Sequence, residues 1–291
     1  DIVRVNYGTP VIVDCVIEQG FKLTPSALQA AITPRTSWLV LNTPGNPSGA
    51  VYSREELAAL AQVLRQHPQV LVLLDELYEH IWFTPQAPAH WLAVAPDLRE
   101  RTLLVNGVSK TYAMTGWRIG WGAGPAALVQ AMVVIQSQAS SGPNSVAQAA
   151  ATAALQSPDQ SFVQQARNAY ARRAQRVTQA LAQVPGLALL PPGGSFFAFV
   201  HCGALIGHLR PDGQPIASDT DLTEWLLESE GVAAVDGGAY GLSPYFRIST
   251  AASDEVLAEA TARIARAVAA LKDPAAQAQA HAQPAALEAV P

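Results

Sequence analysis

The run "VLVLLDE" at residues 70–76 is apolar at each of its first five positions, without any polar alternation. A strand with one wet face alternates apolar and polar residues, so an uninterrupted apolar run is expected where both faces are covered. Such strands are typical of parallel sheets, whose crossover helices lie on the two sides of the sheet. The run therefore predicts an α/β fold.

Strand-like and helix-like patterns alternate through the first half of the chain. Strands are predicted at residues 10–17 ("PVIVDCVI"), 37–42, 102–107 and 118–124, and helices at residues 24–32, 53–67, 125–138 and 144–156. Thr24 and Pro25 suit the N-cap and first helical positions, and Ser53 with Glu56 has the spacing of a capping box. This alternation predicts a mostly parallel sheet covered by helices, over residues 1–157.

The second half has a different pattern. Apolar residues recur every three or four positions over residues 161–184, which predicts one long amphipathic helix. Strands with flanking helices follow, so we expect a smaller C-terminal α+β domain over residues 158–272, with the boundary near Ser157–Pro158. Residues 273–291 are mostly Ala, Gln and Pro and are predicted to form an unstructured tail.

Composition narrows the possible functions. Hydrophobic residues make up 49% and charged residues 14% of the chain, as in a compact globular protein. A net charge of −5 gives no basic footprint for nucleic acid or an anionic membrane, and no apolar run is long enough to span a bilayer. Cys15 and Cys202 fit a reducing compartment and lack the spacing of a zinc site, so we expect a cytoplasmic protein without a metal.

Polar residues follow several predicted strands, at the sheet edge where ligands bind in open α/β folds. They are Asn46, Asp75, the pair Asn106–Gly107, and Lys110. A carboxylate after a buried strand is costly unless it accepts hydrogen bonds or meets a cation, so Asp75 is either a structural cap or ion pair, or a ligand. Tyr78 is close enough in sequence to face the same site. The loop "NTPGNPSG", residues 42–49, is either a long connector or a ligand loop.

Lysine is scarce in this chain. Of 18 basic residues only Lys22, Lys110 and Lys272 are lysines, and Lys110 lies in the apolar, Gly-rich stretch "LLVNGVSKTYAMTGW". Arginine can replace lysine as a charge, but it cannot form an imine with an aldehyde. Lys110 is therefore a candidate for covalent chemistry, with an ordinary surface lysine as the alternative.

Two arginines lie in unusual surroundings. Arg118, in "GWRIGW", either binds a ligand or stacks on Trp117 or Trp121. Arg247 is in the middle of the predicted strand "YFRISTA", where a bidentate carboxylate, from a ligand or from an internal acid, would complement it. The chain has neither G-x-G-x-x-G nor the P-loop motif, so dinucleotide and P-loop chemistry are not supported.

Four motifs in this order resemble the fold-type I pyridoxal-phosphate aminotransferases of class I/II, most nearly the aspartate aminotransferase branch. They are "NTPGNPSG", "DELY", "NGVSKTYAMTGWRIGW" and "YFRIS". The resemblance runs from about residue 1 to residue 272 and implies a large cofactor-binding domain that lacks its N-terminal part. We therefore expect the 291-residue chain alone to bind cofactor weakly and to turn over poorly.

The resemblance also implies the cofactor, pyridoxal 5′-phosphate (PLP), and the residues that bind it. Lys110 would carry it as an internal aldimine and would move the proton during catalysis. Asp75 would pair with the pyridine nitrogen, so that the ring can accept carbanion charge. Asn46 and Tyr78 would hydrogen-bond the phenolate oxygen of the ring.

The remaining implied roles concern the phosphate and the substrate. Arg118 would bind the phosphate, and Arg247, with Asn46, would bind the substrate. Many relatives have Ser where Gly107 stands, so one phosphate hydrogen bond is either lost here or supplied by Ser109.

The function implied is ping-pong transamination, with aspartate and 2-oxoglutarate as the favoured pair and a homodimer as the full-length form. Four alternatives stay open: an aromatic aminotransferase, a PLP-dependent β-lyase of the same fold, the PLP-binding domain of a transcription regulator, and an inactive truncated product with only a structural role.

Overall fold

The structure, a computed structural model, describes residues 2–274. Its residues pack into two compact units, one formed by residues up to 174 with Pro191–Phe197, the other by Gln175–Leu190 and the residues from 198 onward. The domain boundary near Ser157–Pro158 stays a prediction. Of the tail predicted at residues 273–291, all but the first two residues lie outside the described residues.

The first unit contains a four-stranded sheet with the order β1-β2-β3-β4. The strands are β1 Trp38–Asn42, β2 Leu71–Asp75, β3 Thr102–Gly107 and β4 Gly120–Ala123. β1, β2 and β3 are parallel, and β4 is antiparallel to β3. The α/β fold with a mostly parallel sheet is confirmed.

Eight α-helices lie between residues 2 and 181. They are α1 Ile2–Val5, α2 Pro25–Ala31, α3 Arg54–Arg65, α4 Trp91–Val94, α5 Val108–Thr111, α6 Ala126–Ala139, α7 Ser145–Gln156 and α8 Ser161–Leu181. The five longer ones were predicted, whereas α1, α4 and α5, with four residues each, were not. The Thr24 hydroxyl accepts the first-turn N–H of Ala27, and both hydrogen bonds of the Ser53–Glu56 capping box are present. Local caps therefore fix where α2 and α3 begin.

The core of the first unit lies between the sheet and the helices α2, α3 and α4. Leu60 and Leu64 of α3, Leu74 of β2 and Trp91 of α4 are all at most 1% exposed. Burial of each such side chain contributes about 2–3 kcal/mol. This packing holds the carboxyl ends of the parallel strands in place, and the candidate residues follow those ends.

The strand predicted at residues 10–17 is wrong. Residues 8–16 form no regular structure, and Ile17–Gln19 is a short 3₁₀ turn. Val11 and Ile12 are 67% and 70% exposed. A strand needs a neighbouring strand to satisfy its backbone, and no described strand pairs with this segment. The apolar run at residues 10–17 was therefore insufficient evidence for a strand.

The second unit has a four-stranded sheet with the order β5-β6-β8-β7. Its strands are β5 Ala188–Leu189, β6 Phe197–His201, β7 Val235–Asp236 and β8 Tyr245–Ser249, and its helices are α9 Asp219–Glu230 and α10 Asp254–Ala269. Leu222 and Leu226 of α9, Phe246 of β8 and Ile264 of α10 are completely buried together. The smaller α+β architecture is confirmed.

Among residues 2–274, no helix combines the length and the apolar character needed to cross a membrane.

Candidate active site

Asp75 is the last residue of β2, and it is half-buried. Its Oδ1 accepts the backbone N–H of Leu77 at 3.1 Å. Burial raises the pKa of this carboxyl, while the Leu77 N–H and the nearby Lys110 ammonium act in the opposite direction. Asp75 thus acts as a local cap and also lies within electrostatic reach of a lysine.

Lys110 lies on α5, the four-residue helix that directly follows β3. Its Nζ is 5.9 Å from the ring centroid of Tyr78 and 5.8 Å from that of Phe196. By contrast, Lys22 is paired with Glu56, with an Nζ–Oε1 distance of 2.5 Å. The structure therefore brings Lys110, Asp75 and Tyr78 together at the carboxyl edge of the first sheet.

Tyr78 is fixed by other aromatic rings. It is 5% exposed and meets Phe196 and Phe197 edge-to-face, with centroid distances of 5.3 and 5.9 Å. The sequence analysis assigned no role to the stretch "PPGGSFFAF", residues 191–199, and so missed Phe196. The one available signal was its adjacent aromatic pair, which gives no indication of the distant residues it meets.

The segment containing Phe196 is held by the backbone. The Gly194 N–H donates to the Gly49 carbonyl at 3.0 Å, and the Ser195 N–H donates to the Ile81 carbonyl at 2.8 Å. A Cβ on Gly194 would lie 2.7 Å from that same Ile81 oxygen. Glycine is therefore required for this close approach.

Asn46 lies in the loop after β1 and its side chain is exposed. Its backbone N–H donates to Asn42 Oδ1 at 2.7 Å, and Asn42 Nδ2 donates to the Asp75 carbonyl at 3.0 Å. Asn42 therefore ties the "NTPGNPSG" loop to the end of β2. Sequence reasoning missed this role, although Asn42 is the first residue of the motif.

Gly107 ends β3, and Ser109 lies half-buried on α5. A Cβ at position 107 would lie 2.8 Å from the Ile119 carbonyl oxygen and 3.1 Å from the Gly120 Cα. The backbone at Gly107 is extended, with φ −177°, so only space excludes a side chain. A serine at position 107 would push β3 and β4 apart, which leaves Ser109 as the nearby hydroxyl.

Arg118 is not joined to Lys110 or Asp75 by a hydrogen bond or ion pair within residues 2–274. It is exposed, has a left-handed φ of 55°, and donates from Nη1 to the Thr115 carbonyl at 3.1 Å. It borders a cavity of about 500 Å³ that Trp117 and Asn144 also line.

Glu76, which sequence reasoning passed over, is one of the few buried acids, at 8% exposure. Burial, with the neighbouring carboxylates of Glu79 and Asp75, raises its pKa to about 7. His90 Nε2 lies 3.7 Å from its Oε2.

Arg247 lies in the second unit, at the centre of β8. Its guanidinium carbon is 5.1 Å from the ring centroid of Tyr240, a cation–π contact. Burial raises the pKa of Tyr240, and the Arg247 charge opposes that rise. Stacking on an aromatic ring keeps the guanidinium in a fixed orientation.

Comparison with known proteins gives a consistent result. Residues 1–264 match the family model described as aminotransferase class I and II. Aspartate aminotransferase of Rhizobium meliloti is 48% identical over 267 residues, or 92% of this chain and 65% of the relative. Aspartate/prephenate aminotransferase of Cereibacter sphaeroides is 49% identical over 264 residues, or 91% of this chain and 66% of the relative.

The fold agrees as well. A crystal structure of aspartate aminotransferase from Rhizobium meliloti superimposes with a TM-score of 0.90 at 46% identity, covering 93% of this chain and 68% of that one. The chain spans about two thirds of the length of the curated relatives it matches.

Proposed function

The chain belongs to the class I and II aminotransferase family, and from that premise we propose that it transfers amino groups between an amino acid and a 2-oxo acid with PLP as cofactor. One observation carries the proposal. The Lys110 amine, the Asp75 carboxylate and the Tyr78 ring share one edge of the sheet, although their motifs are 32 to 35 residues apart.

These residues fit the cofactor by their chemistry. Formation of an imine with the cofactor aldehyde requires an amine. A protonated pyridine nitrogen is stabilised by a carboxylate, and a phenolate oxygen accepts hydrogen bonds from a phenol or an amide. Lys110, Asp75, Tyr78 and Asn46 are those groups. When bound, PLP supplies a carbonyl for condensation with amines and a ring that accepts electron density.

Each residue then has a defined task. Lys110 would hold the cofactor covalently through Nζ and, when free, would take the proton of the substrate α-carbon and pass it to the cofactor. The Asp75 carboxylate would hold a proton on the ring nitrogen; burial raises the pKa of this carboxyl, and the Leu77 N–H and the Lys110 charge oppose that rise. Tyr78, fixed by Phe196 and Phe197, can offer its hydroxyl in only a narrow range of directions.

The phosphate and the substrate are assigned to residues at other positions. Arg118 and Ser109 bind the phosphate, and because Gly107 has no room for a side chain, Ser109 supplies the hydroxyl. Arg247 is assigned to the α-carboxylate of the substrate, for which a guanidinium offers two parallel N–H groups. Asn46 is the other residue assigned to the substrate.

Aspartate with 2-oxoglutarate is the proposed substrate pair, supported by the name of the Rhizobium relative, and the active form is proposed to be a homodimer. Prephenate is the second candidate acceptor, because the Cereibacter relative is named for both aspartate and prephenate.

The test uses ¹⁵N-aspartate, 2-oxoglutarate and PLP with the purified chain at high concentration. We expect ¹⁵N-glutamate by mass spectrometry, and no product above background from Lys110→Arg, which keeps the charge but cannot form the imine. Equal ¹⁵N transfer by the wild-type chain and the variant would refute the proposal. Replacing 2-oxoglutarate by prephenate tests the second acceptor.

A further inference from the structure

Two short segments carry the acid and the amine of the proposed site. Asp75 is the last residue of β2 and Tyr78 lies on the turn that follows, whereas Lys110 lies on α5 after β3. The last backbone hydrogen bond between β2 and β3 is donated by the Glu76 N–H to the Val105 carbonyl, at 2.9 Å. Tyr78 and Lys110 therefore both lie beyond the point where this backbone pairing ends.

The helix α5 has only four residues, too few for its own hydrogen bonds to fix its direction. Lys110 is also a long side chain, so a small rotation of α5 moves Nζ by a large distance. The orientation of α5 therefore depends on contacts outside the helix. The Val108 N–H donates to the Ile119 carbonyl at 3.2 Å, the Val108 and Thr111 side chains are buried, and the residue before the helix is held by side-chain hydrogen bonds.

One pair of side-chain hydrogen bonds supplies such contacts. Asn106 Nδ2 donates to Glu79 Oε2 at 2.6 Å, and Asn106 Oδ1 accepts the Gly107 N–H at 2.7 Å. A single amide thus bridges the turn after Tyr78 and the residue that precedes α5. His80, a basic residue near Glu79, has its Nε2 at 3.8 Å from Glu79 Oε2, beyond hydrogen-bond distance.

We infer that Glu79, acting through Asn106, is a positioning residue that sets the distance between the Lys110 amine and the Asp75 carboxylate. The inference rests on the proposed function, because it concerns the reaction of Lys110 with PLP. A carboxylate acceptor makes this hydrogen bond stronger than a neutral pair would, which suits a bond that fixes a helix of four residues.

The two residues allow a reciprocal exchange. In Asn106→Asp, two carboxylates face each other and the donor is lost, while the acceptor for the Gly107 N–H remains. In Glu79→Gln, an amide oxygen still accepts from Asn106. In the double variant Glu79→Gln/Asn106→Asp, the new amide at position 79 donates to the new carboxylate at position 106, so the link is restored with reversed polarity.

The experiment measures how fast Lys110 reacts with PLP at pH 8, by borohydride quenching at timed intervals and quantification of the labelled Lys110 and Lys22 peptides. We expect a roughly tenfold slower labelling of Lys110 in Asn106→Asp and Glu79→Ala, and labelling within about twofold of wild type in Glu79→Gln and the double variant. Labelling of Lys22 serves as the internal reference. Glu100→Gln, at an exposed position, is the matched control and should behave as wild type.

The outcomes separate the two proposals. If the wild-type chain is not labelled at Lys110, the proposed function fails, and this inference fails with it. If wild type is labelled and all variants react equally fast, or if the double variant is as slow as Asn106→Asp, the inference alone is overturned. Thermal unfolding of each variant shows whether it is folded. If Asn106→Asp does not fold, the test rests on the labelling rate of Glu79→Ala, which removes the hydrogen bond without adding charge repulsion.

Discussion

The close approach at Gly107 leads to a quantitative prediction. A Cβ there would lie 2.8 Å from the Ile119 oxygen and 3.1 Å from the Gly120 Cα, and both neighbours are backbone atoms. Gly107 and Gly120 are paired residues of β3 and β4, so the strands would have to separate locally. Overpacking that displaces backbone costs about 2–3 kcal/mol. Serine also reduces the conformational entropy of the unfolded chain relative to glycine, which offsets a few tenths of a kcal/mol of that cost.

We therefore expect Gly107→Ser to lower the free energy of unfolding by about 2 kcal/mol, which is a fall of about 4–8 °C in Tm for a unit of this size. Thermal unfolding followed by circular dichroism measures it. Gly116→Ser is the matched control, because no atom lies within 4 Å of the Cβ it would add. If the two variants unfold at the same temperature, the steric argument for Ser109 as the phosphate hydroxyl is refuted.

The remaining predictions concern three charged residues. Glu76→Gln should be more stable than wild type at pH 8 and about equally stable at pH 5. Because the pKa of Glu76 is raised to about 7 in the folded protein, protonated Glu76 stabilises the fold at low pH. This contribution to the free energy of unfolding, on the order of 2 kcal/mol, is lost as the pH rises through 7. Thermal unfolding at both pH values measures it, and parallel pH profiles would contradict it. Arg247→Lys should raise KM for both substrates about tenfold with a smaller change in kcat, because a point charge replaces a bidentate donor; unchanged KM values would argue against Arg247 as the carboxylate ligand. Asp75→Asn should lower the rate of ¹⁵N transfer about 100-fold while borohydride labelling of Lys110 persists, and full activity would exclude its role at the ring nitrogen.

Local signals in the sequence were sufficient for most elements of the fold. The Ser53–Glu56 capping box and the Thr24 cap mark the starts of α3 and α2, and β3 was predicted with its observed bounds because it is short and apolar. The segment at residues 10–17 failed because a strand depends on a partner that its own residues do not specify.

The candidate site was only partly predictable. The carboxyl ends of parallel strands meet at one edge, so Asp75 and Lys110 could be placed together from the strand pattern. Phe196 could not, because it reaches Lys110 through tertiary packing of a segment 86 residues further along the chain. The bridging role of Asn42 also depends on side-chain geometry, which spacing in the sequence does not encode.

The most direct measurement is borohydride reduction of the chain with PLP, followed by peptide mapping. If Lys110 is the amine of a PLP site anchored by Asp75, the pyridoxyl group is found on Lys110, and Lys110→Arg abolishes that labelling. A label absent from Lys110, or spread equally over Lys22 and Lys272, would contradict the assignment.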